Sequence, residues 1–345
     1  MKKLFLYLMI AGVSTTVHAQ NKAGEIPYLT KSFANNSISN VEVKTSGGSI
    51  SIEGVSPAEA RVEVYVSPNN NGNLPKEEVK RRLEADYDLN VSVSNNKVTA
   101  IARPKERNMN WKKSLNISFK VFAPKNANSD LATSGGSISL KNLSGSHDFA
   151  TSGGSLHVDN LTGETDGKTS GGSIHVANSK NVIKLATSGG SIHADNCDGD
   201  IQLATSGGSL YLTGLKGNIH ANTSGGSVNG SNVQGELSTN TSGGSIRLSD
   251  MMCSLETSTS GGSIDVAIKA FGKYLKISNS SGNINLQIPG DKGANLSLAG
   301  QRITVPPLNN FNGKVDKEEV EGKLNGGGIP VTVRAGSGRI NLSMR

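Results

Sequence analysis

A five-residue motif, Thr-Ser-Gly-Gly-Ser, recurs along the middle of the chain at a constant interval. An early copy begins at Thr45, and eight further copies follow one another at a spacing of eighteen residues. These eight begin at Thr133, Thr151, Thr169, Thr187, Thr205, Thr223, Thr241 and Thr259. Eighteen residues cannot enclose a hydrophobic core of their own, so the constant period predicts coils that stack and share a core.

Equivalent positions of the repeats form columns, and apolar columns alternate with polar ones. The position after the motif is always aliphatic: Ile138, Leu156, Ile174, Ile192, Leu210, Val228, Ile246 and Ile264. The position two residues further on is also mostly apolar, which is the alternation of a β-strand. A second strand is predicted before each motif, because residues 183–187 and 201–205 alternate in the same way and turn the Thr column inward.

These patterns predict an all-β fold, a single-stranded parallel β-helix (β-solenoid) with 18-residue coils. A left-handed helix of hexapeptides also has eighteen residues per coil, but it requires an aliphatic residue at every sixth position. Six residues beyond the Ile138 column stand polar residues such as Ser144, Thr162 and Lys180, so the hexapeptide helix is rejected. We therefore expect right-handed crossing of parallel strands, with a rise of ~4.8 Å per coil.

The chain divides into four predicted segments. Residues 1–19 are expected to be a signal peptide, because Lys2 and Lys3 precede an apolar stretch and small residues precede Gln20. Residues 20–130 are expected to form elaborated β-rich coils with one short helix at about 75–87, which Pro75 would begin. The regular coils occupy residues 131–288. Residues 289–345 are expected to form further coils and a cap, since an open end would expose strand edges.

The charge distribution excludes one class of partner. The formal net charge is +7, yet residues 133–276 contain 9 basic and 11 acidic residues. Proteins that bind nucleic acid concentrate basic residues on the working surface, so no nucleic-acid partner is expected. No apolar run after residue 19 approaches the ~20 residues of a transmembrane helix. We expect an exported protein that is periplasmic, associated with the outer membrane or extracellular.

One outward column holds the side chains best suited to bind a ligand. It contains Ser139, His157, His175, His193, Tyr211, Asn229, Arg247 and Asp265. The candidate ligand-binding residues are His157, His175 and His193, with Asp159, Asp195 and Tyr211 on the same face. Zinc needs ligands that converge at ~2.0–2.1 Å, whereas coils would hold them ~4.8 Å apart, so no metal site and no cofactor are predicted. A solvated ladder made by repeat duplication is the simplest interpretation, with weak zinc, nickel or glycan binding as the alternatives.

Catalysis is the main competing function, because many solenoids act on polysaccharides. Glycoside hydrolysis requires two carboxylates roughly 5–10 Å apart. Asp195, Asp198 and Asp200 are close in sequence but lie at or near corners, and the repeats keep a strict period where a catalytic site would disrupt it. No catalytic residue is predicted. A polysaccharide lyase or hydrolase remains the alternative.

The two cysteines are expected to stay reduced. Cys197 and Cys253 lie about three coils apart, or roughly 14 Å, which exceeds the ~7 Å Cα separation that a disulfide tolerates. Cys197 falls in an inward column and is expected to be buried. Cys253 replaces a corner glycine and is expected to be more accessible.

Near its C-terminus the chain carries Leu324-Asn325-Gly326-Gly327-Gly328, followed by Ser337-Gly338-Arg339-Ile340. Together with the tandem Thr-Ser-Gly-Gly-Ser-Ile repeats and the predicted export signal, these motifs resemble a family of putative bacterial adhesins. That family is frequent in Bacteroidota and is similar to putative auto-transporter adhesin domains. The resemblance covers roughly Val41 to the end and implies a β-solenoid without catalytic residues. The predicted function is therefore a non-catalytic adhesin, or a binding or scaffold protein of the cell envelope, with surface glycans or other envelope components as partners.

Overall fold

The computed structural model describes residues 26–69, 74–106 and 114–345. The predicted signal peptide lies outside these residues. The described part consists of β-strands with one α-helix and one short 3-10 helix, which confirms the prediction of an all-β chain. Neither helix has the length and the apolar character needed to cross a membrane.

The N-terminal region contains eight strands and both helices. Their bounds are β1 Leu29–Ser32, β2 Asn40–Lys44, β3 Ile50–Val55, the 3-10 helix Pro57–Glu59, β4 Arg61–Pro68, α1 Lys76–Asp86, β5 Tyr87–Ser94, β6 Lys97–Pro104, β7 Leu115–Pro124 and β8 Asn128–Thr133. The helix lies where the sequence predicts it, and Pro75 immediately precedes it.

The regular coils follow, and each pairs in parallel with the coil eighteen residues further on. Ile174 pairs with Ile192, for example, and Thr187 pairs with Thr205. The strands are β9 Ile138–Thr151, β10 Leu156–Thr169, β11 Ile174–Ala177, β12 Lys180–Thr187, β13 Ile192–Asp195, β14 Asp198–Thr205, β15 Leu210–Thr213, β16 Lys216–Thr223, β17 Val228–Ser231, β18 Gln234–Thr241, β19 Ile246–Thr259 and β20 Ile264–Ile268.

The inward columns form the core as the sequence predicts. The aliphatic column that follows the motif is fully buried, and the Thr column is 4–9% exposed. Each Thr hydroxyl bridges two coils: that of Thr169 donates to the carbonyl of Gly154 (2.7 Å) and accepts from the N–H of Gly172 (3.3 Å). This pairing satisfies two buried backbone groups of the turn, which explains why the motif begins with Thr.

The second glycine of each motif is required by close approach of the backbone. A Cβ on Gly154 would overlap the carbonyl oxygen of Gly136 in the preceding coil, whereas a Cβ on Gly153 would meet its nearest atom at 3.7 Å. At the next corner, the Asn column adopts left-handed φ values, with 57° at Asn142 and 56° at Asn160. Asparagine tolerates this conformation better than most residues.

The C-terminal region continues the stack and ends it. Its strands are β21 Leu275–Asn279, β22 Ile284–Ile288, β23 Ala294–Ala299, β24 Arg302–Thr304, β25 Phe311–Val315, β26 Glu319–Leu324, β27 Ile329–Ala335 and β28 Arg339–Met344. Antiparallel strands cover both ends of the parallel stack: β4 and β5 pair with β7 and β6 at one end, and β26 pairs with β23 at the other.

The order of coils in the stack departs from the order in the sequence at both ends. Strands β2 and β3 lie between β6 and β7 on one side and β8 and β9 on the other. The early Thr45 motif therefore stacks beneath the Thr133 motif, 88 residues later, and the Thr133 hydroxyl donates to the carbonyl of Gly48 at 2.8 Å. The strands between these two motifs lie on both sides of the Thr45 coil, with β6 and β7 on one side and β8 on the other.

Both cysteines are buried, so the prediction of an accessible Cys253 is wrong. Cys197 is 1% exposed and Cys253 is 2% exposed. Cys253 pairs with Gly235 in the register, as its sequence position suggests, but it does not adopt the positive φ of Gly235, which is 102°. Burial raises the pKa of the Cys197 thiol to about 11 and that of the Cys253 thiol to about 12.

Candidate functional site

Four aromatic side chains stack on consecutive coils of one face. We call His157, His175, His193 and Tyr211 the aromatic ladder. The ring centroids are 5.4, 4.7 and 4.4 Å apart along the series, and successive ring planes lie within 13° of parallel. The parallel register places the four residues on adjacent strands, because each is the second residue of a strand that begins after the motif.

The ladder stays accessible to solvent although its rings pack on one another. His157, His175 and Tyr211 are exposed and His193 is half-buried. Since each inner ring contacts a neighbour on both faces, the atoms left for a ligand are mostly the ring edges, with the imidazole nitrogens and the Tyr211 hydroxyl. The ladder therefore offers one polar group per coil, at intervals of ~4.8 Å along the stack.

The electrostatics of the ladder favour neutral imidazoles. Burial, and then the neighbouring His175, hold the pKa of His157 below its ordinary value. The same two causes lower the pKa of His193, although the nearby Asp195 carboxylate opposes them. Stacked imidazoles repel one another when charged, so the lowered pKa values favour the neutral forms of His157 and His193 as hydrogen-bond donors and acceptors.

The two predicted carboxylates lie beside the ladder but two coils apart. Ala177 pairs with Asp159 on one side and with Asp195 on the other. Asp159 accepts a hydrogen bond from the Asn178 side-chain amide at 2.9 Å and lies 3.7 Å from the Lys141 ammonium. Lys141 and Asn178 are two contacts of the site that the sequence analysis did not name.

A shallow groove runs between the ladder and the carboxylates. It encloses about 210 Å³, and its walls include Ser139, His157, His175, Lys141, Asp159 and Asp195. The buried strand residues Leu140, Val158 and Val176 form its floor. A second, separate groove of about 320 Å³ lies further along the same face, beside Arg247, Asp265 and Asn285. Both grooves run beside the same outward column of successive coils, so the face suits an extended ligand.

The arrangement does not provide a metal centre. Within the three described ranges, no group of three or more His, Cys, Asp or Glu side chains is arranged to hold a metal ion. Parallel strands hold the ring centroids of successive imidazoles 5.4 and 4.7 Å apart. Away from this face, Asp198 lies in register between Lys180 and Lys216, so this corner acid belongs to a column of alternating charge.

One buried polar residue escaped the sequence analysis. His147 is 1% exposed, its Nδ1 lies 3.0 Å from the Ser129 hydroxyl, and its Nε2 is buried without a hydrogen-bond partner in the described structure. Burial lowers its pKa to about 4. The signal was present in the repeat columns, because the equivalent positions of the next coils are Thr165, Ile183, Ile201 and Ile219, which are uncharged and mostly aliphatic.

Comparison with protein families gives one match. The family model described as Toastrack DUF4097 matches residues 168–343, which is just over half of the chain. No curated protein matches the chain.

Two solved structures are similar to the chain in outline. One is a putative adhesin from Bacteroides fragilis NCTC 9343, which is 13% identical; the match covers 91% of this chain and 96% of that one, with a TM-score of 0.24. The other is a putative cell adhesion protein from Clostridium sporogenes ATCC 15579, which is 11% identical over 92% of this chain and 98% of that one, with a TM-score of 0.19. Scores and identities this low carry no information about function.

Proposed function

The chain belongs to the Toastrack DUF4097 family, and on this premise we propose that it is an exported, non-catalytic binding and scaffold protein of the cell envelope. Its coils would form a right-handed, single-stranded parallel β-solenoid located in the periplasm, at the outer membrane or outside the cell. The proposed partners are surface glycans or other envelope components. The proposal includes an adhesive role, which is the role named for the two solved structures. Its support comes from the ladder and not from those structures.

The observation that carries the proposal is the aromatic ladder beside its groove. A linear glycan presents hydroxyl groups at a regular spacing along its length, and the ladder presents one ring edge per coil at ~4.8 Å. Each contact is a single neutral hydrogen bond of about 1 kcal/mol, so useful affinity requires several contacts along the ligand.

The rigidity of the ladder supports binding by many weak contacts. Each ring is fixed by its neighbours, and the strands that carry the rings are paired on both sides. Side chains that are already ordered lose little conformational entropy when a ligand binds. Each of them lowers the entropic cost of binding by about 0.5–1.5 kcal/mol. Asp159 is likewise held in place by Asn178 and Lys141.

Glycan hydrolysis is the second candidate, because two carboxylates lie on the face of the ladder. The strands that carry Asp159 and Asp195 are two coils, or ~9.6 Å, apart, so the two side chains would have to lean slightly together to reach the ~6.5–9.5 Å separation of inverting glycosidases. To test hydrolysis, we would compare glycan degradation by the native chain with degradation by the double variant Asp159→Asn, Asp195→Asn. Turnover that this variant loses would favour the enzyme over the binding protein.

Binding to a broad glycan array tests the proposal. The chain from Gln20 to Arg345 is compared with a triple variant, His157→Ala, His175→Ala and His193→Ala. A matched control replaces His220, Gln202 and Asn222 by Ala, because these residues lie on the other outward face of the coils. We expect binding by the native chain and the control, and at least a ten-fold loss in the triple variant. Equal binding by all three, or no binding by any, would contradict the proposal.

A further inference from the structure

The coil formed by β27 and β28 is inserted between two coils that precede it in the sequence. Strand β27 pairs in parallel with β21 on one side and with β23 on the other. Strand β28 likewise pairs with β22 and with β24. We call residues 329–345 the inserted coil. The rest of the C-terminal region thus forms a slot that this coil fills.

The slot is lined by aliphatic side chains that match those of the inserted coil. Val331 lies in register between Leu275 and Leu296. Val333 occupies the equivalent place between Ile277 and Leu298. Val331, Val333 and Ile340 are fully buried in the native chain. An empty slot would expose this apolar lining and the unpaired edges of four strands, β21, β22, β23 and β24, which together are a strong template for another copy of the same segment.

A short connection joins the inserted coil to the strand before it. Residues 325–328, Asn-Gly-Gly-Gly, all have positive φ, from 49° at Asn325 to 158° at Gly328. They arch over the beginning of β23, because β26 and β27 flank that strand on opposite sides. The Asn325 side chain donates to the carbonyls of Gly290 (2.9 Å) and Lys292 (3.1 Å) and so fastens the arch.

We propose that the inserted coil is exchanged between two copies of this chain, so that residues 329–345 of each copy fill the slot of the other. The contacts within each slot are the same in the exchanged dimer and in the single copy, so the two states differ mainly in the connection and in the entropy of association. The exchange is reciprocal and closes as a two-fold dimer. It would place two ladders in one particle, but it does not depend on what the ladder binds.

Shortening the connection tests the exchange. Deleting Gly326, Gly327 and Gly328 leaves Asn325 alone between Leu324 and Ile329, a reach of about 7 Å. The two strands it must join are ~9.6 Å apart across β23, so a single copy can no longer fill its own slot. We expect this variant to fold with twice the mass of a single chain, measured by light scattering after size exclusion. A folded single copy would overturn the proposal.

A matched deletion and a cross-link complete the experiment. The control variant lacks residues 307–309, in the exposed loop between β24 and β25, and should have the mass of a single chain. In the full chain, Ser297 and Thr332 lie opposite each other on β23 and β27, so the pair Ser297→Cys and Thr332→Cys can form a disulfide. After refolding at high concentration, the disulfide should join two chains in the dimer fraction. If the cross-link stays within single chains at every concentration, the proposal is wrong, even where the deletion variant fails to fold.

Discussion

The imidazole ring of His193 lies on the phenol ring of Tyr211, with the centroids 4.4 Å apart and the planes 11° from parallel. His175 covers the other face of the same imidazole at 4.7 Å. Each ring therefore shields its neighbour from water, and a charge on one imidazole acts on the next. The stacking makes the ladder a coupled electrostatic unit.

This coupling predicts a specific response to the loss of the central imidazole. In the native chain, His157 and His193 should titrate below the ordinary pKa of about 6.5, because burial and His175 disfavour their charged forms. His175→Ala should raise both pKa values, as followed by NMR of labelled imidazoles. His220→Ala, on the other face, should not change them. Unchanged values in His175→Ala would contradict the coupling.

The sign of the resulting pH dependence follows from the lowered pKa values. A histidine whose pKa is lower in the folded chain than in the unfolded chain makes its full contribution to stability above the unfolded pKa of about 6.5. This contribution is lost as the pH falls through the folded pKa. Protonation of His157 and His193 should therefore lower the free energy of unfolding in mild acid, as urea unfolding at several pH values would measure.

Replacing the first or the second glycine of a motif by alanine should change the free energy of unfolding to very different extents. Gly154→Ala places a methyl group against the carbonyl of Gly136, so we expect a loss of about 1–3 kcal/mol in the free energy of unfolding. Gly153→Ala has ordinary contact distances and should change it by less than about 0.5 kcal/mol. Urea unfolding of both variants measures the difference. Equal losses of stability would contradict the close approach of Gly154 to the Gly136 carbonyl.

Removing one Thr hydroxyl from the core should also destabilise the fold. Thr169→Val keeps the shape but leaves the Gly154 carbonyl and the Gly172 N–H without the hydroxyl between them. We expect a loss of about 1–3 kcal/mol in thermal or urea unfolding. Thr162→Val, at an exposed position of the same strand, is the control and should have little effect. If Thr169→Val and Thr162→Val are equally stable, the hydroxyl bridge does not contribute to the stability of the fold.

The buried His147 should make the fold sensitive to acid. Its pKa is about 4 in the folded chain and near 6.5 when unfolded, so its contribution is complete above pH ~6.5 and is lost as the pH falls toward 4. The gap between the two pKa values corresponds to about 3 kcal/mol. His147→Leu should lose correspondingly less stability between pH 7 and pH 4 than the native chain, measured by urea unfolding. His220→Leu, at an exposed position, should behave like the native chain; equal acid losses in all three would refute this role.

The core of the regular coils could be predicted from the sequence because each of its columns is sampled eight times. The aliphatic column from Ile138 and the Thr column from Thr133 are buried as predicted. Side-chain alternation fixes which face a residue occupies, and the constant period fixes which residues are neighbours. The candidate residues of the ladder follow from the same two facts.

The remaining features depend on information that the period does not contain. The place of the inserted coil depends on the order in which β23 to β28 pair, and the repeat period does not fix this order because the constant spacing ends before β23. The burial of Cys253 accompanies a change of backbone at this corner, because Cys253 lacks the positive φ that the equivalent glycines have. The stacking of His193 on Tyr211 depends on side-chain torsions, whereas the column shows only that the two residues are adjacent.

Binding of oligosaccharides of increasing length tests the central claim most directly. We would measure, by calorimetry, the dissociation constants of β-linked hexose oligomers of two to eight units, prepared from the polysaccharide that the array selects. The four rungs of the ladder predict that affinity rises with each added unit up to about four or five units and then levels off, and that the triple His variant loses this dependence. Affinity that is independent of length in the native chain, or the same length dependence in the triple variant, would contradict a ladder that recognises linear glycans.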